Sequence, residues 1–253
     1  MPSDYYNRPE WSYSQMKVIL DSGIDYAVAK KRGLIAQPEG QAIDLGQYIH
    51  NQVLGGDDKF IESPYDSFRS KEAQNWRDEQ KEAGYIILTN EMAETAQKAI
   101  SNILEHPLTS QYLIGADIKH EVELYAKTAD GVDLRGKADA VVFHNDGKHP
   151  RLITDIKTTA QFDKFAKNAY WSHYDLQAAT YCLLSKTDFI NYYFCVVETV
   201  APYRVQFMHA SVEFLEAGER KLRRCIDKIV EFGDKEPSFL IDEVVELGDW
   251  SAL

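Results

Sequence analysis

The chain has 253 residues, of which 44% are hydrophobic and 27% charged. It contains no apolar run near the roughly eighteen residues of a membrane span, so a soluble globular fold is expected. A formal net charge of -12, from 28 basic and 40 acidic residues, weighs against nonspecific nucleic-acid binding, although a local basic strip or bound cations reverse the sign where it matters. Three scattered cysteines (Cys182, Cys195 and Cys225) form no CxxC pair, and the start MPSDYYNRPEW has no basic and apolar signal regions, so a reduced, cytoplasmic setting without a secretory leader is expected.

In chain order, Ser12-Tyr13-Ser14-Gln15 reads as a capping box that opens a helix toward Lys31. A second helix is predicted from Gln41 to Leu54, stopped by Gly55-Gly56. Residues 57–69 read as a loop, 71–83 as a helix ending at Gly84, 85–88 as a short apolar run, and 91–105 as a helix ended by His106-Pro107. The pattern then changes. Residues 119–127 alternate, Asp130-Gly131 signals a hairpin, 133–143 are strand-like, and Asp146-Gly147 turns the chain into a third strand over 151–158. A long helix over 162–184, strands over 189–198 and 203–209, and an amphipathic helix over 212–232 complete the reading. These elements predict one α+β domain over 1–253, with a mainly helical part (1–115) and a sheet-helix core (116–253) built on a central mixed sheet of four or five strands.

The third strand of the meander, Leu152 to Thr159, carries the chemistry. Strand periodicity puts Asp155 and Lys157 on one face and Thr154 and Ile156 on the other. Asp139 lies in the apolar strand before it, where a charge is costly unless it is paired or holds a metal. Carboxylates on adjacent strands can clamp Mg²⁺ or Mn²⁺ together with a backbone carbonyl, while Lys157 orients a nucleophile or neutralises charge on a phosphate. An ordinary salt bridge among Asp139, Asp155 and Lys157 would show the same residues, because D-x-K is short and common.

Further residues favour the first reading. Asp139 with Asp155-Ile156-Lys157 resembles the PD-(D/E)xK nuclease motif. Gln177 and Tyr181, spaced i, i+4 in QAATY, look like the Q-x-x-x-Y helix of its RecB-like and RecE-like branch. His50 in DLGQYIH is similar to the helical metal-ligating histidine of that branch, and Glu121 in HEVELY resembles the acid of the first core strand, with Glu123 as the alternative. Residues 76–113, ending at an HP pair, are similar in style. One departure is the sixteen-residue step from Asp139 to Asp155, which the HNDGKHP turn has to absorb.

The nearest likeness is to RecE-like (exonuclease VIII-type) phage nucleases. It implies a restriction-endonuclease-like core and a Mg²⁺ or Mn²⁺ ion held by His50, Asp139, Asp155 and the Ile156 carbonyl. Glu121, Asp139, Asp155, Lys157, Gln177 and Tyr181 would be the catalytic set. Separately from the resemblance, Arg135 and Lys137 are basic groups near Asp139 expected to contact DNA. The implied activity is degradation of linear duplex DNA from its ends for phage single-strand-annealing recombination, in the bacterial cytoplasm. The resemblance also implies an annealing protein as partner and a ring-like homo-oligomer.

Other motifs fail. Residues 131–138 nearly spell a Walker A loop but lack the final Ser/Thr and lead into a strand. His120-Glu121 begins a zincin motif, but Leu124 stands where the second histidine belongs. There is no GxSxG nucleophile elbow, and three cysteines cannot hold a four-cysteine iron–sulfur cluster. The rival readings are a non-catalytic binding module on a nuclease fold and an acidic protein that mimics DNA or engages a host nuclease.

Overall fold

A computed structural model describes residues 4–36, 38–56, 58–186 and 190–238. A 3-10 turn (Asp4–Asn7) leads into a two-residue strand β1 (Trp11–Ser12), then α1 (Tyr13–Ser22), α2 (Ile24–Lys31) and α3 (Gln41–Leu54). Next come β2 (Phe60–Glu62), α4 (Lys71–Glu82), β3 (Ile86–Leu88), α5 (Asn90–Glu105) and the short α6 (Thr109–Tyr112). The meander is β4 (Ile118–Lys127), β5 (Asp133–Phe143) and β6 (Pro150–Thr159). It is followed by α7 (Phe165–Trp171), α8 (Tyr174–Leu184), β7 (Asn191–Glu198), β8 (Val205–His209) and α9 (Val212–Phe232).

Local chemistry explains most of these boundaries. Ser12 and Gln15 form the capping box of α1, and Ser70, Thr89 and Ser211 each accept a hydrogen bond from the first turn of α4, α5 and α9. Gly55 closes α3 in the left-handed conformation, φ 79°. Two predicted helices are broken, however. The helix expected over 12–31 divides at Gly23, whose φ of 88° lies outside the helical region. The helix expected over 162–184 becomes a 3-10 turn, α7 and α8, divided at His173, which has φ 57°. The loop expected over 57–69 contains β2, paired in parallel with β3. The strand expected to begin at Phe189 begins at Asn191; Phe189 itself lies outside the described residues.

The central sheet runs β4-β5-β6-β7-β8, with β1 beside β5 near Leu134 and Arg135. Only the β6–β7 and β1–β5 pairings in it are parallel, so the sheet is mixed, as expected. The near-Walker segment lies in the β4–β5 turn and in β5, where no helix opens. Among the described residues no helix is long and apolar enough to cross a membrane.

Two apolar clusters hold the layers together. One joins α1, α8 and α9 to the sheet through Met16, Leu134, Ile153, Leu176, Tyr192 and Val196. The other seats α3 and α5 on Ala140, Ile156, Cys195 and Val197. Met92, Ala96, Ala99 and Ile103 repeat at helical spacing along the buried face of α5. Each fully buried Ile, such as Ile49 on α3, contributes roughly 1.5–3 kcal/mol.

Helix α8 is buried on nearly all sides between the sheet and α9, and its contact with α9 depends on a glycine at position 218. A Cβ at Gly218 of α9 would lie 1.9 Å from the Asp175 carbonyl oxygen and 2.9 Å from the Ala179 Cβ. A buried ion pair, Lys221 Nζ to Asp175 Oδ1 at 2.7 Å, ties the same two helices. Gly218→Ala is therefore expected to cost about 1–3 kcal/mol and to lower Tm by roughly 2–12 °C. Differential scanning fluorimetry checks this, and an unchanged Tm would contradict the close packing of α8 on α9.

Candidate metal and catalytic site

The sheet register sets three acids side by side. Pairing of His120 with Ala140 and of Val122 with Ala138 puts Glu121 opposite Asp139; pairing of Ala140 with Thr154 puts Asp139 opposite Asp155. At this level both ladders are interrupted. Glu121 has φ 54°, a conformation costing roughly 1–3 kcal/mol for a non-glycine residue, and it drops out of the β4–β5 pairing. The β5–β6 pairing ends at Ala140 and Thr154. Beyond it the Ile156 N–H donates to Asp139 Oδ2 at 2.8 Å instead of to the main chain of β5.

Side chains from α3 and α8 enter at this opening. His50, held on α3 by its buried neighbours Ile49 and Val53, places Nε2 2.9 Å from Asp139 Oδ1 and 3.7 Å from Glu121 Oε1. Potential ligand atoms of His50, Glu121 and Asp139 all lie within 4.8 Å of one another. From α8, the Gln177 amide donates to Asp155 Oδ1, and the Tyr181 hydroxyl donates to the Lys137 carbonyl at 2.6 Å. A Cβ on Gly136 would sit 2.8 Å from the Tyr181 ring, so glycine here lets α8 approach β5.

The two basic side chains complete the cluster. Lys157 Nζ contacts Asp155 Oδ2, and Lys137 Nζ contacts Glu121 Oε2. Asp155 and Lys157 meet on one face of β6, while Ile156 packs into the α3–α5 cluster on the other. Between the two candidate acids of β4, Glu121 joins the cluster, whereas Glu123 accepts from its own neighbour, the Tyr125 hydroxyl.

Arg135 requires a correction. It was expected to face DNA, but it is 2% exposed and donates to the main-chain carbonyls of Tyr5, Tyr6 and Arg8. The guanidinium is spent on anchoring the N-terminal segment, out of reach of a phosphate. Sequence reasoning also missed Tyr174, whose ring centroid lies 4.9 Å from Lys157 Nζ. Its place three residues before Gln177, on the same helix face, was the available signal.

Residues 12–238 match the profile of a family described as a PDDEXK-like domain of unknown function (DUF3799). The chain belongs to this family. Its membership places it in the PD-(D/E)xK superfamily, the class to which the motif pointed. Among solved structures, this PDDEXK-like chain is similar to a "putative exonuclease" from Eubacterium rectale. The identity is 15%, the TM-score 0.64, and the match covers 98% of this chain and 93% of the other. At that identity the likeness speaks for the fold. A second solved structure, named SSO0001, aligns with a TM-score of 0.28 at 16% identity over 72% of this chain and 85% of the other. No curated protein matches.

The PDDEXK-like site is balanced in charge. Glu121, Asp139 and Asp155 face Lys137, His50 and Lys157. Burial opposes charge on His50, but the Asp139 carboxylate beside it, followed by Glu121 and Asp155, outweighs burial and pushes the imidazole up to about 9. Burial likewise works against ionising Asp139, yet His50 and Lys157 hold its carboxyl below the usual range. Asp155 is pushed up to about 6, chiefly by burial, with Lys157 pulling the other way and Asp139 adding to the rise.

One imidazole, carboxylate oxygens and a nearby main chain form a donor set suited to Mg²⁺ or Mn²⁺. A cation can take the His50 nitrogen only after its proton leaves. With the imidazole at about 9, His50 is charged at neutral pH, so metal binding there should release close to one proton. Mn²⁺ affinity is expected to strengthen about tenfold per pH unit between roughly pH 7 and 9, and His50→Gln should remove that slope. Isothermal titration calorimetry in buffers of different ionisation heat measures the proton count; a flat pH profile would contradict the role of His50.

Proposed function

We propose that this chain is a Mg²⁺- or Mn²⁺-dependent DNA exonuclease that hydrolyses phosphodiester bonds of linear duplex from its ends. The observation that carries the reading is the meeting of Glu121, Asp139, Asp155 and His50 at the opened level of the sheet, with Lys157 against Asp155. A salt bridge serving stability alone needs neither a third acid nor a histidine from a separate helix.

His50, Asp139, Asp155 and the Ile156 carbonyl would hold the ion, with Glu121 at its edge. When bound, a divalent cation supplies Lewis acidity toward a phosphate oxygen and makes water a nucleophile at neutral pH. Lys157, freed from Asp155, orients that water or neutralises the charge developing on the phosphate. Gln177 fixes the orientation of the Asp155 carboxylate, and Tyr181 positions β5 through the Lys137 carbonyl. Lys137 is the basic group at the site left to meet the DNA backbone. An acidic chain attracts duplex weakly at long range, so productive binding is confined to this site, which favours ends over uniform duplex.

By resemblance to the RecE-like branch, we place this activity in phage single-strand-annealing recombination in the bacterial cytoplasm. An annealing protein would be the partner, and a ring of identical chains the assembly.

Asp155→Asn and Lys157→Ala should each lower cleavage at least about 10³-fold while circular dichroism stays unchanged. The folded state survives loss of Lys157 because Asp155, already at about 6, can take up a proton in place of its partner. Equal masses of end-labelled linear duplex and closed circular plasmid, with Mg²⁺ and with chelator, make the comparison. Loss of linear DNA alone, and only with metal, is expected. Equal loss of both forms would make the protein an endonuclease, and cleavage in chelator would remove the metal from the account.

A further inference from the structure

The N-terminal 3-10 turn contains an arrangement that catalysis at the metal site does not use. Tyr6 is 71% exposed, and its ring is set edge-on against buried Tyr5, with centroids 5.3 Å apart and planes at 85°. Lys137 Nζ lies 5.9 Å from the Tyr6 ring centroid and contacts Glu121, itself 3.7 Å from His50. The exposed ring therefore stands two side-chain contacts from the acid cluster.

Terminal segments generally fray unless they are tied down. Here the tie is costly: a guanidinium buried at 2% exposure must have its donors satisfied. The two terminal nitrogens of Arg135 donate to the Tyr5, Arg8 and Tyr6 carbonyls, the last two at 2.9 and 3.2 Å, while its buried Nε has no acceptor among the described residues; the guanidinium lies 4.8 Å from the Tyr5 ring centroid. A four-residue turn returns little stability for such an anchor. What the anchor does secure is the position of the exposed ring beside the site.

We propose that Tyr6 is a stacking platform for an unpaired nucleobase at a DNA end, and that Arg135 is its positioning residue. The inference rests on the nuclease reading above and deepens it by naming the substrate class: ends with a splayed or single-stranded terminal nucleotide. An aromatic face accepts any base, and the neighbouring Lys137 ammonium meets the flanking phosphate, the combination by which single strands are held without sequence preference. A fully paired, stacked terminal base offers no free face and binds more weakly.

The test uses the full chain with Asp155→Asn, which keeps DNA uncut, and oligonucleotides carrying a fluorescent 2-aminopurine at the terminal position. Binding is expected to quench the terminal 2-aminopurine. Tyr6→Phe should retain the quench, because the ring remains. Tyr6→Ala should abolish it and weaken binding roughly 5- to 150-fold. An end whose terminal residue is abasic should lose the same factor, with no further loss on adding Tyr6→Ala. Arg135→Met should lose the quench, while Arg135→Met in the chain with Asp155 intact still gains Tm with Mn²⁺. A quench that persists in Tyr6→Ala, or equal weakening by Tyr6→Ala on normal and abasic ends, would overturn the proposal. Because no cleavage step is involved, this outcome is separate from the nuclease reading, which fails instead if the unmutated chain with Mg²⁺ leaves end-labelled duplex intact.

Discussion

Two buried carboxylates, Asp139 and Asp155, lie side by side in the sheet with half-buried Glu121 next to them, and the site is arranged around compensating charges that burial would otherwise penalise. Each acid has its own cation: His50 for Asp139, Lys137 for Glu121 and Lys157 for Asp155. The balance is local and exchangeable. In the proposed reading, a divalent ion among the acids would take the place of the His50 proton and of the lysine contacts, and Lys137 and Lys157 would then be available to a phosphate. The net charge of -12, which seemed to count against DNA, says little about this point in the molecule.

The fold serves the site by interrupting its own regularity at one level. A continuous β4–β5–β6 ladder would pair Glu121, Asp139 and Asp155 through their main chains and point their side chains to a sheet face. The positive φ of Glu121 and the end of β5–β6 pairing after Ala140 and Thr154 release that level, and the Ile156 N–H turns to Asp139. Helix α8 fills the release. It comes close enough because Gly136 and Gly218 have no Cβ on either side of it, and it brings Gln177 to the Asp155 carboxylate and Tyr181 to the Lys137 carbonyl.

Much of this was legible in the sequence where the signal is local. The bounds of α3, β5 and α9 follow from Gly55, from the Asp130-Gly131 turn and from the amphipathic period over 212–232, and the structure reproduces them. The D-x-K face and the i, i+4 pair of Gln177 and Tyr181 follow from strand and helix periods alone. What could not be read depends on distant partners. The pairing of β2 with β3 joins two three-residue strands across a helix. The break at His173 carries no glycine or proline to announce it. Arg135 shows the limit most plainly: the sequence places a cation on the strand that carries Asp139, but its acceptors are three carbonyls 127 to 130 positions earlier in the chain. The choice between Glu121 and Glu123, equal in strand period, was decided by a backbone distortion that periodicity does not encode.

The measurement closest to the central claim is anomalous diffraction from a crystal soaked in Mn²⁺ at a pH above about 8. The account predicts one strong peak within about 2.0–2.4 Å of His50 Nε2, carboxylate oxygens of Asp139 and Asp155 and the Ile156 carbonyl, with Lys157 withdrawn from Asp155. A crystal saturated with Mn²⁺ that shows no density there, with His50 still hydrogen-bonded to Asp139, would contradict it.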